Sequence, residues 1–114
     1  MIRTIALALG AGMLFAGTAI AAEPIEGTWK RPNGTIIRYA GSAGKFCGTV
    51  MTGEYKGKSI GCMEGKGANY TGSVNKLDEG KTYKGKATVN GNALALAGCV
   101  MGGLICKTEN LTRN

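Results

Sequence analysis

Four cysteines and seven carboxylates are the first residues in this chain to weigh for chemistry, because histidine is absent. Cys47, Cys62, Cys99 and Cys106 could hold zinc, act as nucleophiles or pair as disulfides. Zinc sites favour Cys-x-x-Cys spacing and commonly add histidine, and this chain has neither, so no metal is expected. An even cysteine count in a small exported chain points instead to two disulfides. Four cysteines allow three connectivities. Symmetry about expected hairpin turns favours Cys47–Cys62 with Cys99–Cys106. The first would close a loop of about 15 residues, worth roughly 3 kcal/mol in the chain-entropy model. A two-residue turn at Gly102-Gly103 would place Cys99 opposite Cys106 at a hydrogen-bonded pair, with Cα atoms about 5.5 Å apart.

The carboxylates are Glu23, Glu26, Glu54, Glu64, Asp78, Glu79 and Glu109. Asp78 and Glu79 are neighbours in an expected turn, which makes them solvated and not a poised acid–base pair. Without histidine there is no imidazole base and no triad of the usual type. Phosphate loops, dinucleotide fingerprints and nucleophile elbows are also missing. The expectation is a protein that is not an enzyme and carries no cofactor.

The elements that must position these residues are short strands. Met1-Ile2-Arg3-Thr4 is a basic head, Ile5 to about Ala16 is apolar, and Ala19-Ile20-Ala21 fits a signal-peptidase exit. Residues 1–21 are therefore expected to be a leader, with residues 22–114 a single exported domain, periplasmic or secreted. No other stretch is long enough to span a bilayer as a helix, so no stable membrane insertion is expected after cleavage. A domain of about 93 residues has a thin stability margin, which disulfides would offset.

Turn signals recur every eight to twelve residues: Asn33-Gly34, Gly41 to Gly44, Gly53 to Gly57, Gly65 to Gly67, Asp78 to Gly80, Asn90-Gly91 and Gly102-Gly103. Seven turns predict eight strands, over 28–31, 35–40, 45–51, 58–63, 69–75, 81–89, 92–98 and 104–112. Short connections favour an all-β, antiparallel, up-and-down barrel. Alternation is clearest in the sixth strand, where Tyr83, Gly85, Ala87 and Val89 would face inward while Thr82, Lys84, Lys86 and Thr88 face water. Both residues of Asn33-Gly34 and of Asn90-Gly91 are expected at positive φ. Glycines inside strands (Gly48, Gly72, Gly85, Gly98) read as bends where a small barrel turns its corners.

Loss of Arg3 with the leader lowers the 14 Lys and Arg to 13 against 7 Asp and Glu, a net charge near +6. Export and the lack of aromatic-studded basic strands argue against nucleic acid. The lysines read chiefly as soluble outer faces, with attachment to an anionic surface as the rival.

Gly27-Thr28-Trp29, with the chain's one tryptophan, stands at the start of the first strand, and Arg113 stands just past the last. This pairing resembles the lipocalin-like (calycin) pattern, in which the tryptophan closes one barrel end and a terminal arginine packs across it. Further matches run in order: Phe46-Cys47-Gly48, Gly57-Lys58 before Ile60-Gly61, Gly80 to Gly85, Gly91-Asn92 before Leu94, and Ala97 to Val100. Together they resemble the bacterial domain-of-unknown-function family 2147. One departure is Leu111, where the family pattern has a second tryptophan. The resemblance implies an exported lipocalin-like barrel and no ligand or activity.

An eight-stranded barrel holds either its own side chains or one small ligand. The leading expectation is a monomeric carrier of a small, partly apolar molecule, with Trp29, Tyr39, Phe46, Tyr70, Tyr83, Leu94 and Leu96 as inward ligand-binding candidates. Ile37, Val50 and Val74 are also expected to face inward. The rival is a module that grips an envelope protein through loops or its basic face, with Tyr55 and Met101 expected at exposed turn tips.

Overall fold

The computed structural model describes residues 22–114; the leader expected over residues 1–21 lies outside the described residues. Eight antiparallel strands close into one barrel in sequence order. They are β1 (Gly27–Lys30), β2 (Ile36–Ser42), β3 (Lys45–Val50), β4 (Ser59–Lys66), β5 (Asn69–Lys76), β6 (Lys81–Asn90), β7 (Ala93–Val100) and β8 (Ile105–Arg113). The all-β up-and-down architecture expected from the turn spacing is the one observed.

Alternation decides which side chains enter the barrel. In β6, Gly85, Ala87 and Val89 are buried and Tyr83 half-buried, while the four residues between and before them are exposed. The aromatic and aliphatic candidates follow the same rule: Trp29, Ile37, Tyr39, Phe46, Val50, Tyr70, Leu94 and Leu96 are all buried. Leu111 is fully buried too.

The turns differ in detail from expectation. Of the two Asn-Gly pairs, only Gly34 and Gly91 have positive φ. Asn90 stays in β6, and Pro32-Asn33-Gly34 forms a three-residue loop closed by Arg31 N–H donating to Thr35 O. Ala43 and Gly44 form the turn in which both residues have positive φ. Gly41 and Gly65, expected in turns, lie inside β2 and β4.

The β7–β8 connection is also longer than expected. It runs through a 3-10 turn at Met101–Gly103, and pairing stops at Val100↔Ile105. Met101, Gly102 and Gly103 all take positive φ. The extra length changes the hydrogen-bond phase. Cys99 and Cys106 do face each other, but in the narrow non-hydrogen-bonded type of pair, with Cα atoms 4.0 Å apart. Both expected disulfides form, Cys47–Cys62 and Cys99–Cys106.

Three strand glycines share one cross-strand row: Gly72 faces Gly85, and Gly85 faces Gly98. The Cε of Met63 lies 2.6 Å from where a Gly85 Cβ would be, so this methionine occupies the missing side chain's space. A bulge interrupts the β3–β4 ladder between Gly48 and Thr49, with Gly61 at positive φ. Of the glycines expected to mark bends, Gly48 stands at this bulge, while Gly72, Gly85 and Gly98 lie in unbroken ladders.

Candidate functional site

An up-and-down barrel collects alternate connections at each end, and here the two ends are unlike. One end carries the tight turns at residues 43–44, 67–68 and 91–92 together with the entering segment Ala22–Glu26. Ile25 is fully buried there, and its carbonyl accepts the Trp29 Nε1–H at 2.9 Å. The Arg113 guanidinium lies 4.1 Å from the Trp29 ring centroid. Arg113 also donates to Glu26 O (3.0 Å) and Pro24 O (2.8 Å), tying the segment across the barrel. This end is a packed floor. Phe46 and Tyr70 meet edge-to-face within it, centroids 5.9 Å apart.

The opposite end, with the longer connections at residues 31–35, 51–58, 77–80 and 101–104, opens into a cavity of about 1020 Å³. Val50, Ile60, Val74, Leu77 and Leu96 give it apolar walls, and Tyr55 and Tyr83 add rings. Its rim is charged. Arg31 reaches across to Glu109 in a two-pronged pair, Nε to Oε1 at 2.7 Å and Nη2 to Oε2 at 3.1 Å. Lys76 pairs with Asp78 at 3.0 Å and Glu79 at 3.6 Å. The hydrogen bond between them raises the Lys76 pKa and lowers that of Asp78. The Tyr83 hydroxyl donates to Glu79 at 2.8 Å, which holds its proton more tightly than usual.

The structure divides the seven ligand-binding candidates. Tyr83 and Leu96 line the cavity; Trp29, Tyr39, Phe46, Tyr70 and Leu94 are packed in the closed half and do not. Position along the strands explains the split: Tyr83 stands near the 77–80 connection at the mouth, whereas Phe46, Tyr70 and Leu94 stand beside the tight turns at the closed end. Ile60, Leu77 and the Arg31–Glu109 pair were missed. Ile60 sits at the bulge, Leu77 follows the last paired residue of β5, and the ion pair joins residues 78 apart in the chain. Tyr55, expected at an exposed tip, is half-buried against the core, whereas Met101 is exposed.

Two hydroxyls beneath the cavity have no partner. Tyr39 and Tyr70 each bury a phenolic oxygen that makes no hydrogen bond among the described residues. Burial alone pushes the Tyr39 pKa far above the usual tyrosine range. Among the described residues, no three of His, Cys, Asp and Glu gather closely enough to hold a metal ion. No helix among them is long and apolar enough to cross a membrane.

A floor sealed by tryptophan and arginine, a mouth left open and two disulfides across neighbouring strands define a small calyx-like antiparallel barrel. Residues 58–113, which run from β4 to β8, match the family model described as "Uncharacterized protein conserved in bacteria (DUF2147)", and this segment belongs to that family. The Trp29 and Phe46 motifs lie before the matched residues. No curated protein and no solved structure matches the chain.

Proposed function

We propose that this is an exported, non-catalytic binding protein that holds one small, partly apolar molecule in the open half of its barrel. The cavity carries this reading. Ligand pockets commonly span about 300–1,000 Å³, with mostly apolar walls and a few placed polar groups. The mouth, at about 1020 Å³, has aliphatic walls and a charged rim of that kind. A molecule with an apolar body and a polar head would place the body against Val50, Ile60 and Leu96 and the head near Arg31, Glu79 and Tyr83. Two disulfides support an oxidising compartment, periplasmic or extracellular. Three of the four acids that line the cavity, Asp78, Glu79 and Glu109, are engaged with Lys76, Tyr83 and Arg31, an arrangement suited to recognition more than to proton transfer, and the fourth is the exposed Glu54. We take the working form to be a monomer that binds no nucleic acid.

Native mass spectrometry of the mature protein, recovered gently from its own host, tests the reading. A bound mass of a few hundred daltons that leaves on denaturation is expected. Leu96→Trp, which narrows the cavity against its apolar wall, should weaken retention of that adduct with the barrel intact. Bare protein, or an adduct indifferent to Leu96→Trp, would overturn it.

A further inference from the structure

The large apolar side chains exposed among the described residues are Met51, Val100, Met101, Leu104 and Ile105, and four of them stand in or beside the β7–β8 connection. Leu104 is 85% exposed and Met101 69%, so the barrel covers neither. From Val100 to Ile105 no side chain carries a hydrogen-bonding oxygen or nitrogen. The segment is nonetheless held in shape. Pairing of the two strands ends at Val100↔Ile105, and the Cys99–Cys106 disulfide ties them directly beneath. Leu104 N–H donates to Met101 O across the turn. The result is a braced apolar tip in water, and clustered exposed apolar surface of this kind marks an interaction site.

Charge around the tip has one sign. The three strands β6, β7 and β8 carry five cations, Lys81, Lys84, Lys86, Lys107 and Arg113, against one carboxylate, Glu109. Glu109 is paired with Arg31, and Arg113 belongs to the sealed floor. Lys81, with Lys76, balances Asp78 and Glu79 of the neighbouring connection, and Glu54 lies across the mouth in a loop that also holds Lys56 and Lys58. Three lysines remain beside the tip. Lys84 and Lys86 share with Gly102 and Gly103 an outer groove of about 410 Å³, whose one acid is Glu64. Lys107 follows Cys106 at the foot of the other strand. None of the three has an ion-pair partner among the described residues.

Apolar side chains at the point and lysines behind them match the two layers of an anionic lipid surface, acyl chains below and phosphates above. A protein partner fits less well. Protein interfaces carry about one hydrogen bond per 100–200 Å², and the side chains of this tip offer none. We infer that the β7–β8 tip docks the protein on an anionic lipid surface, with Met101, Leu104 and Ile105 reaching the acyl boundary and Lys84, Lys86 and Lys107 at the phosphates. The docking is peripheral: only the tip leaves water, and the barrel stays outside the bilayer. This inference stands on the tip and its lysines and does not rest on the small-molecule reading.

The test uses the oxidised mature protein and vesicles of phosphatidylcholine with one quarter phosphatidylglycerol. Co-sedimentation should show binding that vesicles of phosphatidylcholine alone lack and that added salt weakens. Lys84→Gln with Lys86→Gln should weaken it about tenfold, through lost attraction to the phosphates. Leu104→Ser should weaken it by about tenfold too, through lost apolar burial. All three side chains are exposed, so the fold is kept. Leu104→Trp should shift its emission to the blue on these vesicles, while the parent, whose one tryptophan is Trp29 in the sealed floor, should show no shift. Absence of binding, equal binding to phosphatidylcholine alone, indifference to either the lysine or the leucine substitution, or an unshifted Leu104→Trp emission would each overturn the inference.

Discussion

Arg113 and Trp29, 84 residues apart in sequence, are directly paired across the β1–β8 seam, and the arginine's guanidinium carbon lies 4.1 Å from the indole centroid. The same guanidinium holds Pro24 O and Glu26 O, so it latches the entering segment onto the floor. Loss of the cation–π contact and of two charged hydrogen bonds should cost about 2–3 kcal/mol in Arg113→Ala. Arg113→Lys keeps the charge but not the planar fork, and should recover less than half of that. Urea unfolding of the three proteins checks the order. Equal stability of Arg113→Ala and the parent would mean that the floor holds without its latch.

The glycine row offers a comparison within one structural feature. A Cβ at Gly72 would run into the Cys62 carbonyl oxygen and come within 2.9 Å of Met63 Cα, both main-chain atoms that no rotamer change can move. At Gly85 the nearest atom is the flexible end of Met63, and at Gly98 it is Tyr83 Cβ at an ordinary 3.6 Å. Alanine should therefore cost about 3 kcal/mol or more at Gly72 and about 1 kcal/mol at Gly85. At Gly98 it should be neutral or stabilising by up to about 1 kcal/mol, through the stiffer unfolded chain. Melting curves of the three single variants test this ranking, which a uniform glycine effect would erase.

The closed half of this barrel was easier to read from sequence than the open half, for physical reasons. Packing on one face with water on the other forces alternation, and so β6 and the Trp29–Arg113 closure stood out in the residue pattern. Cysteine pairing followed from symmetry about turns, which a four-residue β7–β8 loop preserved even while changing the hydrogen-bond phase. The mouth obeys weaker constraints. Ile60 enters it through a bulge that shifts the register by one residue, and no alternation marks such a shift. Arg31 and Glu109 meet because β1 stops early, and Pro32 reveals that stop only once β8 is known to be the neighbour. Asn33 and Asn90 misled for a related reason. Cross-strand packing fixed the turn phase, and the Asn-Gly pairs settled into whichever turn remained.

Alkaline pH should destabilise the protein through Tyr39. Its hydroxyl is buried without a partner, and desolvation raises its pKa well above the ordinary value of 10.0. The unfolded chain thus releases this proton near pH 10 while the folded chain keeps it. Above that pH the unfolded state binds fewer protons, so stability falls as pH rises, by about 1.4 kcal/mol per unit for this one group until the folded tyrosine itself ionises. Below pH 10 the group contributes no slope. Tyr39→Phe removes both the orphan oxygen and the titration. It should leave stability at pH 7 unchanged or raised by about 1 kcal/mol, and should flatten the decline between pH 10 and 11 relative to the parent. Parallel denaturant titrations at the two pH values read the difference; identical slopes would assign the alkaline loss to other groups.

The two disulfides should contribute unequally, because they close loops of different length. Cys47–Cys62 spans 15 residues and Cys99–Cys106 spans 7. In the chain-entropy model these separations correspond to roughly 3 and roughly 2.4 kcal/mol. Both bridges join directly facing residues of adjacent strands, so each can be replaced by an alanine pair without reordering the ladder. Their positions separate their effects further. Cys47–Cys62 lies two residues from the bulge that shapes the cavity wall, whereas Cys99–Cys106 braces the base of the exposed Met101–Leu104 turn. Cys47→Ala with Cys62→Ala should therefore lower the global unfolding free energy by the larger amount. Cys99→Ala with Cys106→Ala should do so by less, while raising amide exchange in the β7–β8 turn well before global unfolding. Hydrogen exchange and urea unfolding on the two double variants separate these outcomes, and a larger global loss for the Cys99–Cys106 pair would show that the turn it braces stabilises the whole barrel.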